Sequence, residues 1–125
     1  MTIYVGTSGI ALPFARKEFP EDYRNTSRLR YYSTLFSSLE VNSSFYKTPQ
    51  PATLAKWAND VNADFRFTVK LSRAITHAKK LEFDAMEIAD FFHAANALGD
   101  KKGALLVQFP ASISAKYLPQ VESLL

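Results

Sequence analysis

The sequence contains no cysteine. Disulfides, thiolate metal sites and a cysteine nucleophile are therefore excluded, and a reducing compartment is consistent with the composition. No apolar run approaches the roughly 18 residues of a membrane span, and the start Met1–Gly9 has neither the basic beginning nor the apolar stretch of a signal peptide. The expectation is a soluble cytoplasmic protein without a membrane partner. A strong charge of either sign is also missing. Fifteen Lys and Arg against twelve Asp and Glu leave +3, with a pI near 9.2, which a scatter of solvated lysines explains without any nucleic-acid partner. What the chain does have is apolar mass: 47% of its 125 residues are hydrophobic and 14% aromatic. That is enough for the core of one domain and argues against a disordered chain.

Two kinds of segment alternate. Thr2 to Gly6 reads as a strand closed by Gly-Thr-Ser-Gly, and a long connection rich in proline and aromatics follows to Arg24. A helix capped by Asn25 or Thr26 then presents Leu29, Tyr32, Leu35, Phe36 and Leu39 at helical spacing. A short strand is expected at Ser38–Asn42, a loop at Ser43–Gln50, and a helix with Leu54, Trp57, Ala58 and Val61 on one face. Phe65–Leu71 alternates strictly between apolar Phe65, Phe67, Val69, Leu71 and polar Arg66, Thr68, Lys70, the signature of a half-buried strand. After a basic connection, Ser72–Lys80, come a helix from Asp84 to Leu98 stopped by Gly99, an apolar strand Gly103–Phe109, and a helix beginning near Ser114. The order βαβαβαβα predicts parallel pairing and right-handed crossovers in an α/β sheet.

The strand ends carry a recognisable pattern: Ile3-Tyr4-Val5-Gly6-Thr7-Ser8-Gly9, then Phe36 to Tyr46, then Phe65 to His77, then Leu98-Gly99 and Leu106-Val107-Gln108-Phe109-Pro110. In this order and spacing they resemble the YecE-like family, the domain of unknown function 72. The chain departs from the family pattern at Ile10, where tryptophan is usual, and at Ser72, where proline is common. The resemblance implies a TIM-type (β/α) barrel about twice this long, so that residues 1–125 form a single domain holding the first four βα units, a half barrel, and stop within the fourth helix. It implies no reaction, because the family has none established, and it names no cofactor. Four strands cannot close an eight-stranded ring. A piece of a longer chain, two paired half-barrels and an open four-stranded sheet are the alternatives, and the first is preferred.

In such a fold ligands bind at the carboxyl ends of the strands. If the apolar residues of each strand face the helices, Glu40, Asn42, Arg66, Thr68, Lys70, Gln108, Tyr4, Gly6 and Ser8 face the opposite side, with Lys70 near the top. Glu40 as a general acid or base, Lys70 as an anion binder or carbonyl polariser, and His77 as the histidine placed to act near neutral pH are the catalytic candidates. Ser8, Asn42, Tyr46, Arg73 and Gln108 are the substrate-binding candidates. The bland alternatives are specific too: Glu40 and Lys70 as a buried ion pair, Asn42 and Gln108 as partners that satisfy it, Tyr46 as packing. Lys70, Arg73, His77, Lys79 and Lys80 make the third connection the most basic stretch, suited to phosphate or carboxylate, or simply solvated. Metal binding is poorly supported, since only Glu40 and His77 stand as ligands. Two classes of function follow. One is an enzyme acting on a phosphorylated or otherwise anionic substrate. The other is a module that binds nucleic acid or another polyanion without catalysis, using Arg73, Lys79 and Lys80 with the aromatics Phe14, Phe19 and Tyr46. A scaffold built from swapped half-barrels is a third.

Overall fold

Strict alternation in the third strand decides which way the sheet faces. In the computed structural model, which describes residues 1–125, Phe67 and Val69 are fully buried while Arg66, Thr68 and Lys70 on the same strand, β3 (Arg66–Lys70), are half-buried. The neighbouring strand β2 (Ser38–Val41) repeats the pattern: Leu39 and Val41 are buried, Ser38 and Glu40 half-buried. With β1 (Gly6–Ser8) and β4 (Lys102–Leu106) they form one four-stranded parallel sheet in the order β1-β2-β3-β4. The fold class is α/β.

The apolar face is covered by three helices: α1 (Arg28–Leu35), α3 (Pro51–Asp60) and α5 (Ala85–Asn96). Leu29 and Tyr32 of α1, Leu54 of α3 and Phe91 of α5 share one core with Leu39, Val41, Phe67 and Val69. Each helix start follows from a local signal. Ser27 caps α1 by accepting from the Arg30 amide, proline fills the first position of α3, and the Asp84 carboxylate accepts from the Met86 amide to cap α5. The Ser27 cap lies one or two residues beyond the expected Asn25 or Thr26. The Thr26 hydroxyl donates instead to the Tyr23 carbonyl. The Lys101 ammonium donates to the carbonyls of Val61 and Asn62 just past α3, a cation where a helix end carries partial negative charge.

Other boundaries also move. The first strand lies at Gly6–Ser8 rather than Thr2–Gly6, because β2 offers ladder partners only from Ser38, which pairs with Gly6. There the strands approach so closely that a Cβ on Gly6 would sit 1.9 Å from the Ser38 carbonyl oxygen. The Tyr32 hydroxyl fills the same junction. It donates to the Ser38 carbonyl at 2.9 Å and accepts from the Thr7 amide at 2.8 Å. The fourth strand covers Lys102–Leu106 rather than Gly103–Phe109. Phe67 faces Lys102 while Val69 faces Leu105, so β4 carries one extra residue, a bulge. Two expected connections contain helical turns, α2 (Ser43–Tyr46) and α4 (Arg73–Thr76), and α6 (Leu118–Leu124) begins after a 3-10 turn at Ala115–Tyr117. No helix is long and apolar enough to cross a membrane.

Candidate functional site

The uncovered face of the sheet collects the polar side chains, and the register sets their spacing. Ser8 lies opposite Glu40, and Glu40 opposite Thr68, in one row across three strands. Lys70, two residues beyond Thr68 on β3, begins the next row, and Asn42 follows just past the end of β2. Glu40 and Lys70 are therefore on the same side of the sheet, one row apart.

Three of these groups form a hydrogen-bonded chain. The Ser8 hydroxyl donates to Glu40 Oε1 at 2.8 Å and accepts from Asn42 Nδ2 at 2.8 Å. The Gly9 amide donates to the Glu40 carbonyl at 3.0 Å, and Gly9 takes a φ of +80°, which turns the chain away from β1 without side-chain strain. Ser8 is thus oriented from both sides, its proton directed at a carboxylate and its lone pair at an amide. Asn42 contacts Ser8 rather than Glu40 or Lys70, which replaces the expected role of satisfying those two charges.

Lys70 is engaged differently. Its ammonium lies 4.6 Å from the centre of the Phe45 ring, a cation–π distance. His77 meets the same ring edge-on at 5.2 Å, with Nδ1 2.8 Å from the Thr76 hydroxyl. Phe45 is a platform shared by Lys70 and His77, and it sits on α2. That turn is locked across the strand ends by Ser44, fully buried, whose hydroxyl donates to the Lys70 carbonyl at 2.6 Å and the Val41 carbonyl at 3.0 Å. The ion pair expected as the bland reading of Glu40 and Lys70 is replaced by these separate partners, Ser8 for one and Phe45 for the other.

The remaining candidates spread outward. Tyr46 packs edge-on against Phe45 at 5.1 Å yet is 72% exposed. Arg73 is exposed on the first residue of α4, capped by the Ser72 hydroxyl. Gln108 is exposed two residues past β4, outside the paired register. Arg66 belongs to the far end of the same face, 5.8 Å from the ring of Tyr4. Of the aromatics offered as nucleic-acid contacts, Phe19 is fully buried and Phe14 half-buried. Both pack with Tyr31, at 4.4 Å for Phe19 and 6.1 Å for Phe14, and burial closes Phe19 to bases. His93 is exposed on α5, away from the strand ends. No group of three or more His, Asp or Glu side chains is placed to hold a metal ion.

Phe45 and Thr76 escaped sequence reasoning. The signal for the first was present in Asn42-Ser43-Ser44, three residues that cap and start helical turns, ahead of an aromatic.

Chemically, the rim offers a fixed hydroxyl, a carboxylate, an amide and the Lys70 ammonium around two rows of one sheet face, with His77 beside them on the far side of the Phe45 ring. Comparison with known proteins gives the same architecture without a reaction. The UPF0759 protein YecE of Escherichia coli (strain K12) is 28% identical over 91 residues, covering 73% of this chain and 34% of that protein, and its counterpart in strain O157:H7 matches equally. The chain therefore spans about a third of the length of these curated relatives. Crystal structures of a DUF72 family protein from Enterococcus faecalis V583, at 3.10 and 2.52 Å resolution, superpose with TM-scores of 0.68 and 0.67 at 22% identity. They cover 78% and 76% of this chain and 38% and 41% of the solved chains, and at that identity the likeness speaks for the fold alone. The family model described as protein of unknown function DUF72 matches residues 4–125, nearly the whole chain, and the chain belongs to that family.

Proposed function

We propose that the rim around Ser8, Glu40, Asn42, Lys70 and His77 binds a small anionic substrate, phosphorylated or carboxylated, and performs acid–base or hydrolytic chemistry on it. The setting is a parallel (β/α) barrel of the TIM type, whose first four units are residues 1–125 as one domain. Four parallel strands in sequential order support that reading, as do helices on one face only and polar groups gathered at the carboxyl ends of the other. In it Lys70 and His77 hold the anion, Arg73 and Tyr46 extend its binding surface, and Gln108 approaches from β4. Glu40 takes or returns a proton through the Ser8 hydroxyl, whose position Asn42 maintains. A cysteine-free chain supports a cytoplasmic setting.

One observation carries the proposal: the Ser8–Glu40–Asn42 chain of hydrogen bonds, with Lys70 in the adjoining row. Glu40→Gln and Lys70→Met test it in a screen of phosphate esters, carboxylate esters and sugar phosphates. Each should lower turnover by roughly a hundredfold or more, the scale of a lost acid–base group, at unchanged thermal stability. Equal turnover in both variants on every substrate processed by the unaltered protein would end the assignment.

A second reading, binding of nucleic acid or another polyanion without catalysis, has one observation in its favour. Arg73, Lys79, Lys80 and Tyr46 are all exposed near the same strand ends. Removal of those charges would then matter more than any change at Glu40, with affinity falling steeply as salt rises.

A further inference from the structure

We propose a second ligand site, on the helix side of the sheet, that takes a small monocarboxylate with an apolar body. Glu40 and Asn42 border both this cavity and the rim, but the binding proposed here needs no acid–base step. A cavity of about 380 Å³ lies where the loop after β1, the end of β2, the start of α1 and the side of α3 meet. That volume is within the range of small-molecule pockets. Its apolar walls are Ile10, Leu29, Leu39, Val41 and Trp57, and its cation is Arg28. Leu39 and Val41 face the helices, and Gly9, Glu40, Asn42 and Ser43 complete the lining where β2 ends.

Arg28 is the informative residue. It occupies the first position of α1, whose first turn has no acidic side chain. A cation there opposes the positive end of the helix, so helix stability alone gives it no reason to be arginine. Two carboxylates in the vicinity are already engaged: Asp60 takes the Ser27 hydroxyl, and Glu40 takes the Ser8 hydroxyl. A guanidinium beside an apolar slot matches a carboxylate in geometry and charge, because its fork accepts two oxygens in one plane. The ligand's body would lie against Trp57, held in place by its stacking over Phe67 at 6.5 Å between ring centres. A single positive charge in an apolar wall favours a monoanion. A phosphate dianion would bring one negative charge more than Arg28 can balance, at a high desolvation cost.

Trp57 is the single tryptophan of the chain, so its emission reports on this cavity. Octanoate is the probe and octanamide its uncharged counterpart. Octanoate should shift Trp57 emission saturably and bind at least about tenfold more tightly than octanamide, the scale of a charge-assisted pair. Arg28→Gln should abolish that preference and Arg28→Lys should keep part of it. Ile10→Phe, at a partly exposed loop position, should fill the slot and weaken both ligands while the circular dichroism spectrum and melting temperature hold. Three results would each overturn the proposal: no saturable shift at millimolar octanoate, equal binding of octanoate and octanamide, or undiminished octanoate binding by a folded Arg28→Gln protein.

Discussion

The two faces of β2 and β3 are built from the same nine residues of chain yet do different work. On one face Leu39, Val41, Phe67 and Val69 are nearly or wholly removed from water and touch helices. On the other, Ser38, Glu40, Arg66, Thr68 and Lys70 stay half-exposed, and all but Thr68 make specific polar or cation–π contacts. A one-residue slip of either strand would exchange the two sets. The sealed face is where stability resides. The open face is free to carry charges because no helix forces their desolvation.

Substitutions that strike one face at a time put this division to the test. The largest effect belongs to Phe67→Ala, which empties the centre of the sealed side. A loss of about 3–5 kcal/mol is expected from deletion of a buried aromatic, measured by urea unfolding. Next is Tyr32→Phe, which leaves the Thr7 amide and the Ser38 carbonyl without their shared hydroxyl, at about 1–3 kcal/mol. Smallest is Thr68→Val, on the open face between Glu40 and the β4 side, expected to stay within about 0.5 kcal/mol in the same assay. If Thr68→Val proved as costly as Phe67→Ala, the open face would have to be a second core and the proposed site would lose its access to solvent.

How much of this was legible in the sequence depended on how local the cause was. The alternation in Phe65–Leu71 displays its own periodicity, and β3 sits where it predicts. Gly99 after α5 and the proline at the start of α3 are likewise local signals. The parity argument that sends Glu40 and Lys70 to one side rests on the same periodicity and agrees with the pairing register, whereas Gln108 lies past the end of β4. The start of β1 could not be read, because Ile3 and Val5 are as apolar as a strand should be, and only the position of Ser38 on the partner decides where pairing begins. Nor could the partners of Glu40 and Lys70. Opposite charges suggested a pair, but Ser8 and Phe45 reach them from loops whose paths are set by Gly9 at positive φ and by the buried Ser44. The turn after α4 is the extreme case: Lys80 and Leu81 both take positive φ, near 56° and 54°, and no residue type there announces it.

One phenol group has an outsized mechanical role. β1 is three residues long and lies at the sheet's edge, too short for its own side-chain pattern to fix its alignment. Tyr32 grips the amide of one strand and the carbonyl of the next with a single oxygen while its ring is anchored in the core. The first strand cannot slide without drawing that ring out of the interior. Tyr32 is thus a register pin, and the alignment of Ser8 with Glu40 is inherited from the seating of α1.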